Sequence, residues 1–245
     1  MPSPMRDGPR RRTVLAGAAA ATVALAGRGP VLAQEAVDHA LVLLVDASGS
    51  VSDGGWAFQL RGHATAFRDP RLGAAVSAGA TGRMAVTLAA FAGPRSLRTL
   101  VPWTVVGPPG TTDAFAEAID RAPVDGRGGA TAIGSAIEDA ADLFDAAPPA
   151  RRRTIDISAN GFSNAGIDPE VARDRAVAQG ITINALVILD EYDWLEAYFA
   201  DAVIGGASAF VMTAEDRESF AASIFSKLLA EMAQSPYAYR SSGHG

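Results

Sequence analysis

The sequence of 245 residues contains no cysteine, only three histidines and a single lysine. The absence of cysteine excludes disulfide scaffolds, thiolate zinc sites, iron–sulfur clusters and cysteine nucleophiles together. Because His39, His63 and His244 are the only imidazoles, metal sites rich in histidine and most Ser-His-Asp arrangements are disfavoured. The chemistry of this protein must therefore rest mainly on oxygen-bearing side chains.

The overall composition is that of a globular protein, with 49% hydrophobic and 20% charged residues. The formal net charge is −6, and residues 1–33 hold five arginines and one aspartate, so the remainder carries 16 − 26 = −10. An acidic body of this kind argues against nucleic acid and against anionic membrane surfaces as partners.

Residues 1–33 are predicted to be an export signal peptide. Arg11 and Arg12 precede an uncharged, alanine-rich stretch of 13 residues, Val14–Ala26, whereas a membrane-spanning helix needs about 20. Val31-Leu32-Ala33 then offers the small residues that a signal peptidase reads. The paired arginines favour the twin-arginine route, with an ordinary Sec signal as the alternative. We therefore expect a mature protein without a transmembrane segment in the periplasm of a Gram-negative bacterium.

The rest of the chain is predicted to form one α/β domain, because apolar runs alternate with stretches of helical spacing. The run His39–Val45 is continuous, as expected of a strand that is buried on both faces. Pro102 removes a ladder donor from the predicted strand Leu97–Val106 and places that strand at a sheet edge. The other predicted strands are Arg83–Phe91, Thr154–Ser158, Ile181–Leu189 and Ala209–Met212. The predicted helices are Trp56–Phe67, Thr112–Arg121, Thr131–Phe144, one from Pro169 to Gly180, and Asp216–Met232.

This order predicts a doubly wound, mostly parallel central sheet that is flanked by helices and has one antiparallel edge strand. The domain is expected to occupy residues 39–232. Residues 233–245 are expected to form a disordered tail.

Three segments place oxygen-bearing side chains at the carboxyl ends of predicted strands, where ligands bind in open α/β sheets. One carboxylate and two hydroxyls follow the first strand, a third hydroxyl enters a helix, and an amide follows the fourth strand. These residues are Asp46, Ser48, Ser50, Thr131 and Asn160. Such an all-oxygen set favours a hard cation, Mg²⁺ or Mn²⁺, over Zn²⁺ or Ca²⁺.

The Asp-x-Ser-x-Ser segment at 46–50, with Gly-x-Thr at 129–131, resembles the metal-ion-dependent adhesion site of von Willebrand factor A (VWA) domains. The resemblance covers roughly residues 39–232 and implies a Rossmann-like fold. The chain is more closely similar to a family of exported bacterial proteins made of this domain alone. The segments that carry this similarity are Asp156-Ile157-Ser158, Thr182–Leu186, Val203–Gly206, Ala209–Val211 and Lys227–Glu231.

The resemblance implies a role for each residue of the predicted site. Ser48 and Ser50 would bind the metal directly, Thr131 directly or through water, and Asp46 mainly through a bridging water. An acidic side chain of another protein would complete the coordination. The expected function is therefore metal-dependent binding of a protein partner.

One position departs from the family pattern, because Asn160 replaces the strand-end aspartate. An amide oxygen can coordinate an ion but brings no charge. An opposite-charge pair about 4 Å apart is worth roughly 4 kcal/mol at an effective dielectric of 20 before desolvation, so metal binding is expected to be weakened. Asp156, inside the fourth strand, is interpreted either as a hydrogen-bond partner that orients the metal ligands or as a structural capping or salt-bridging residue.

Other interpretations stay open for single residues and for the whole site. Ser48, Ser50 and Thr131 could each cap a helix, and the acidic stretch Asp190–Trp194 could be a docking surface, although a solvated loop is favoured. Patterns of serine hydrolases, dinucleotide sites and P-loops are missing, so no enzymatic activity is expected. Metal-assisted hydrolysis of phosphate esters is the alternative function, but it lacks a second carboxylate cluster.

Overall fold

The computed structural model describes Met1 and residues 35–123, 128–216 and 219–233. Within these residues, six strands form one sheet. The strands are β1 (Val37–Asp46), β2 (Met84–Phe91), β3 (Arg98–Val106), β4 (Ala150–Ala159), β5 (Ile181–Ile188) and β6 (Val211–Ala214). Their order is β3-β2-β1-β4-β5-β6, and every pair is parallel except β2 with β3. The predicted doubly wound sheet with one antiparallel edge strand is therefore confirmed.

Helices cover both faces of the sheet. They are α1 (Asp53–Arg68), α2 (Pro70–Ser77), α3 (Thr111–Asp120), α4 (Ile133–Asp142), α5 (Pro169–Ala178), α6 (Leu195–Tyr198) and α7 (Phe220–Ala233). A 3₁₀ turn follows α4, and a π-helical turn follows α6. The apolar side chains of α1, α2, α3 and α7 form one core layer, and those of α4, α5 and α6 form the other.

Strand β1 lies in the interior of the sheet, and its side chains pack into both core layers. Leu41 and Leu43 pack toward α1 and α7, whereas Val42 and Leu44 pack toward α4 and α5. All four side chains are fully buried. Two-sided burial explains why this strand reads as a continuous apolar run, because neither face requires polar residues.

Local capping signals explain where several helices begin. Asp168 caps α5 by accepting a hydrogen bond from the backbone N–H of Glu170 at 3.1 Å, and Pro169 occupies the first helical position. The same signature, Asp69 followed by Pro70, starts α2, a helix that the hydrophobic pattern alone did not predict. The short helix α6 was not predicted from the sequence either.

Several boundaries differ from the prediction. Strand β4 begins at Ala150 rather than Thr154, because a run of arginines at its start hides the strand pattern although it continues the pairing with β1. The last strand is Val211–Ala214 rather than Ala209–Met212. Helix α4 starts at Ile133, and in α7 the helical residues described begin at Phe220.

The predicted signal peptide, residues 1–33, lies outside the described residues apart from Met1, as does the predicted tail apart from Ala233. In the described part of the chain, no helix is both long and apolar enough to cross a membrane.

Candidate functional site

The predicted site lies at the carboxyl ends of β1 and β4, which are neighbours in the sheet. Asp46 is the last residue of β1, and Asn160 directly follows β4; the two strands are in register through Val45 and Ser158. The chain runs from β1 to β2 on one side and returns to β4 on the other. This is the point of an open α/β sheet at which the connections diverge and leave a crevice for ligands.

Asp46 is fully buried and held at both its side chain and its backbone. Its Oδ1 accepts the backbone N–H of Ser48 at 2.8 Å, and its carbonyl oxygen accepts Nε2 of Gln59 at 3.1 Å. Its Oδ2 has no hydrogen-bond partner among the described residues. Burial raises the pKa of Asp46 to about 6, although hydrogen bonds from Ser48 oppose the shift. A nearby cation would favour the ionised carboxylate.

The two serines of the first loop lie side by side, because Oγ of Ser48 and Oγ of Ser50 are 3.2 Å apart. Ser48 is buried and Ser50 is exposed. Neither caps the following helix: Ser52 does, by accepting the N–H of Gly55 at 3.1 Å. The capping interpretation of Ser48 and Ser50 is therefore wrong, and both hydroxyls are available to a ligand.

Backbone hydrogen bonds join the first loop to the loop before α4. Gly49 donates its N–H to the carbonyl oxygen of Gly129 at 3.0 Å, and Gly128 donates to that of Ala47 at 2.8 Å. A side chain at position 49 would meet the Gly129 oxygen at 3.1 Å, and Gly129 has a φ of 92°. Glycine at these two positions permits the close approach that brings Asp46 and Thr131 to one edge of the sheet.

Thr131 is buried, and its backbone is fixed by a neighbouring loop. Its N–H donates to Oδ1 of Asn164 at 2.9 Å, and its carbonyl oxygen accepts the N–H of Asn164 at 2.8 Å. The N-cap residue of α4 is Ala132, and the N–H of Ile133 donates to Oγ of Ser163 at 3.2 Å. The capping interpretation of Thr131 is therefore also wrong.

Two further buried acceptors lie at the end of β4. Oδ1 of Asn160 and Oγ of Ser158 have no hydrogen-bond partner among the described residues, as is the case for Oδ2 of Asp46. Burying a polar atom without a partner costs free energy. A hydrated cation at the strand ends would supply partners for acceptors such as Oδ2 of Asp46 and Oδ1 of Asn160, so the residue types present fit a metal ion. Because the described residues contain no group of three or more His, Asp or Glu side chains placed to hold a metal, hydroxyl and amide oxygens would have to supply most of the ligands.

Asp156 lies further back in β4 and contacts α7 instead of the site loops. It forms an ion pair with Lys227, and neither side chain is exposed. The structure therefore agrees with the salt-bridging interpretation of Asp156 and does not support a role beside the metal ligands.

Two residues that position the site were not predicted from the sequence. Gln59 of α1 anchors the backbone of Asp46, and Asn164 anchors that of Thr131. A weak signal exists for Gln59, because it is a polar residue between Trp56 and Leu60 on the buried face of a helix. For Asn164 the hydrogen bond spans two loops, which local pattern does not reveal.

The fold is that of a von Willebrand factor A (VWA) domain. Proximal thread matrix protein 1 from the mussel byssus has a similar structure, with 17% identity and a TM-score of 0.58 over 80% of this chain and 47% of that chain. A von Willebrand factor type A protein from Catenulispora acidiphila is 18% identical, with a TM-score of 0.57 over 80% of this chain and 43% of that chain. The SpRpn10 VWA domain is 19% identical, with a TM-score of 0.50 over 82% of this chain and 97% of that chain. The chain thus spans about half the length of the first two proteins.

The chain belongs to the family described as "Protein of unknown function (DUF1194)", whose model matches residues 36–236. No curated protein matches the sequence. The similarity to solved structures therefore establishes the fold, and the function must be argued from the site.

Proposed function

We propose that this protein binds a protein partner through a divalent cation, with Mg²⁺ preferred, held at the carboxyl ends of β1 and β4. Ser48 and Ser50 would bind the ion directly, and Thr131 directly or through water. Asp46 would act mainly through a bridging water, and Asn160 would coordinate through its amide oxygen or hold a bound water. An acidic side chain of the partner would complete the coordination, because a hard cation with few charged protein ligands prefers a carboxylate.

The observation that carries this proposal is the juxtaposition of two loops by backbone hydrogen bonds next to buried acceptors that lack partners. The pairs Gly49–Gly129 and Gly128–Ala47 hold the loops together, and Oδ2 of Asp46 and Oδ1 of Asn160 lack hydrogen-bond partners among the described residues. The fold is also compatible with a bound ion, since the mussel protein has been solved with zinc in its metal-ion-dependent adhesion site (MIDAS) motif.

Calorimetric titration with MgCl₂ and MnCl₂ tests the metal. The wild-type protein should bind Mg²⁺ or Mn²⁺, and the Ser48→Ala/Ser50→Ala variant should lose this binding. The variant should keep its circular dichroism spectrum, and its melting temperature should change by no more than a few degrees. Ser226→Ala, which removes an exposed hydroxyl from α7, is the matched control and should bind like wild type. Unchanged metal binding in the double variant would place the ion elsewhere and refute the proposed site.

The partner is tested separately by affinity capture from periplasmic extract, with and without Mg²⁺. A protein retained by wild type in Mg²⁺, but not in EDTA and not by the double variant, is the expected result. If the same protein is captured in EDTA and by the double variant, its binding does not depend on the ion.

We further propose that the protein acts in the periplasm after export by the twin-arginine route. The support is the paired Arg11-Arg12, the short uncharged segment behind it and the cleavage pattern at Val31-Leu32-Ala33. A domain exported already folded needs no oxidative folding outside the cytoplasm, which suits a chain without cysteine.

A further inference from the structure

Three aromatic side chains beside the candidate metal site contact one another at the surface. The ring centroids of Phe162 and Trp194 are 5.4 Å apart, those of Phe162 and Tyr192 5.7 Å, and those of Tyr192 and Trp194 5.3 Å. Trp194 is 46% exposed and Phe162 36% exposed. We call these three residues the aromatic platform. Large aromatic side chains grouped at a surface are typical of binding sites, because they supply much contact area with little loss of conformational freedom.

The aromatic platform is joined to the metal-site loops. Phe162 follows Asn160 by two residues, and the next residue, Ser163, donates its N–H to Oη of Tyr198 at 3.2 Å. The ring of Tyr198 packs edge-on against Trp194, with centroids 6.3 Å apart. Asn164, one residue further, pairs with Thr131. A partner that reaches the ion can therefore touch the platform as well.

The charge around the platform selects the kind of partner group. Glu191, Asp193 and Glu196 lie on the same segment as Tyr192 and Trp194 and are exposed. None of the three forms an ion pair with another described residue. Aromatic ring faces carry negative partial charge and attract cations, and surrounding carboxylates add to this attraction. The same carboxylates disfavour an anionic membrane surface.

We propose that the aromatic platform binds an arginine side chain of the protein partner, next to the carboxylate that approaches the metal. Arginine fits better than lysine, because its planar guanidinium stacks on aromatic faces while it donates hydrogen bonds to neighbouring carboxylates. The inference rests on the proposed function for the identity of the partner, but the platform binds the guanidinium without the ion. The partner surface thus combines one acidic and one basic side chain.

Synthetic peptides with blocked termini test the platform directly. Alternating arginine and glycine, alternating lysine and glycine, and alternating glutamate and glycine are titrated into the protein in EDTA at low ionic strength, with binding followed by NMR. The arginine peptide should bind more tightly than the lysine peptide, and the glutamate peptide should not bind. Trp194→Ala and Phe162→Ala should each weaken arginine-peptide binding by about twofold to fivefold.

Two further variants separate the platform from general effects. Val171→Ala removes an equally exposed apolar side chain from α5 and should bind like wild type. Glu191→Gln/Asp193→Asn should weaken binding and reduce its dependence on salt, because two attracting charges are removed. Arginine-peptide binding that is unchanged in Trp194→Ala, or binding of the glutamate peptide as tight as that of the arginine peptide, would overturn the proposal. Equally, tight binding of wild type to neutral phosphatidylcholine vesicles without arginine-peptide binding would identify a membrane contact instead.

A peptide that contains one aspartate and one arginine, separated by two glycines, distinguishes failure of this inference from failure of the proposed function. With both sites active, Mg²⁺ tightens its binding and Trp194→Ala weakens it. If Mg²⁺ has no effect while Trp194→Ala still weakens binding, the metal site is wrong and the platform stands. If Mg²⁺ tightens binding and Trp194→Ala has no effect, the platform is wrong and the metal site stands.

Discussion

Lys227 donates a hydrogen bond from Nζ to Oε1 of Glu231 at 2.9 Å, one turn further along α7, and both side chains are buried. The same ammonium forms an ion pair with Asp156 of β4, and Asn184 of β5 donates to Glu231 at 2.8 Å. The only lysine of the chain therefore ties the last helix to the two strands beneath it.

Burial and the attraction between the charged groups act against each other in this cluster. It raises the pKa of Asp156 and of Glu231, and Lys227 only partly opposes the shift. Burial by itself would lower the pKa of Lys227, but the two carboxylates outweigh it and the pKa is raised. The ammonium thus stays charged, and it is the group on which both carboxylates depend.

Replacing Lys227 should lower the stability of the folded protein. In Lys227→Met, two buried carboxylates lose their counter-ion, and the free energy of unfolding should fall by about 3–5 kcal/mol, measured by urea denaturation at neutral pH. Adding Asp156→Asn and Glu231→Gln to this variant removes the uncompensated charges and should recover much of the loss. If Lys227→Met alone is as stable as wild type, the ion pairs contribute nothing to the attachment of α7.

The Asn160→Asp variant tests whether the missing carboxylate limits metal affinity. With Mg²⁺ present, the variant should gain more melting temperature than wild type, because an added negative charge tightens the ion in the folded state. Without a divalent ion it should be less stable at neutral pH, because a new carboxylate lies in the same crevice as Asp46.

Asn164→Asp is the matched control, since it adds the same charge at a position whose Oδ1 already accepts the N–H of Thr131. Its response to Mg²⁺ should be smaller than that of Asn160→Asp. An Asn160→Asp variant that loses stability and gains nothing from any divalent ion at millimolar concentration would show that the loops keep their geometry but bind no ion.

Acid should destabilise the protein through His63. Burial lowers the pKa of His63 from 6.5 to about 4, and its Nδ1 hydrogen-bonds with the carbonyl oxygen of Gln59 at 2.8 Å. Because the unfolded chain takes up the proton first, the stability from this group is complete above pH 6.5 and is lost as the pH falls toward about 4. The loss amounts to about 3 kcal/mol.

His63→Met keeps the contact with Phe220, whose ring centroid lies 5.7 Å from that of His63, but cannot titrate. The difference in unfolding free energy between wild type and this variant should therefore shrink or change sign from pH 7 to pH 4.5. Burial, with Arg152 and Lys227, also lowers the pKa of His39, and that effect cancels because both proteins contain His39. A difference that does not vary with pH would contradict the assignment.

Export can be tested by replacing Arg11 and Arg12 with lysine. Twin-arginine transport should then stop, and the precursor should remain in the cytoplasm, as judged by cell fractionation and the size of the protein on a gel. Arg6→Lys is the control and should be exported and processed normally. Normal export of the double-lysine variant would leave the Sec route as the explanation.

Much of the fold could be predicted because its signals are local. The apolar run of β1 and the cap formed by Asp168 before Pro169 each depend on residues close in the chain. The spacing of Asp46, Ser48 and Ser50 directly after a buried strand likewise placed them at the carboxyl edge of the sheet. Metal binding by these residues stays a prediction. Boundaries were less predictable where charged residues continue a strand, as the arginines do at the start of β4.

The sequence by itself determined the alternation of strands and helices and the edge of the sheet at which the site lies, because hydrophobic periodicity and capping act over a few residues. Only the tertiary structure decided that Asp156 pairs with Lys227 rather than with the site, and that Phe162 meets Trp194 at the surface. These pairings join residues far apart in the chain. They depend on strand register and on which face of the sheet each helix covers, and neither is encoded in local spacing.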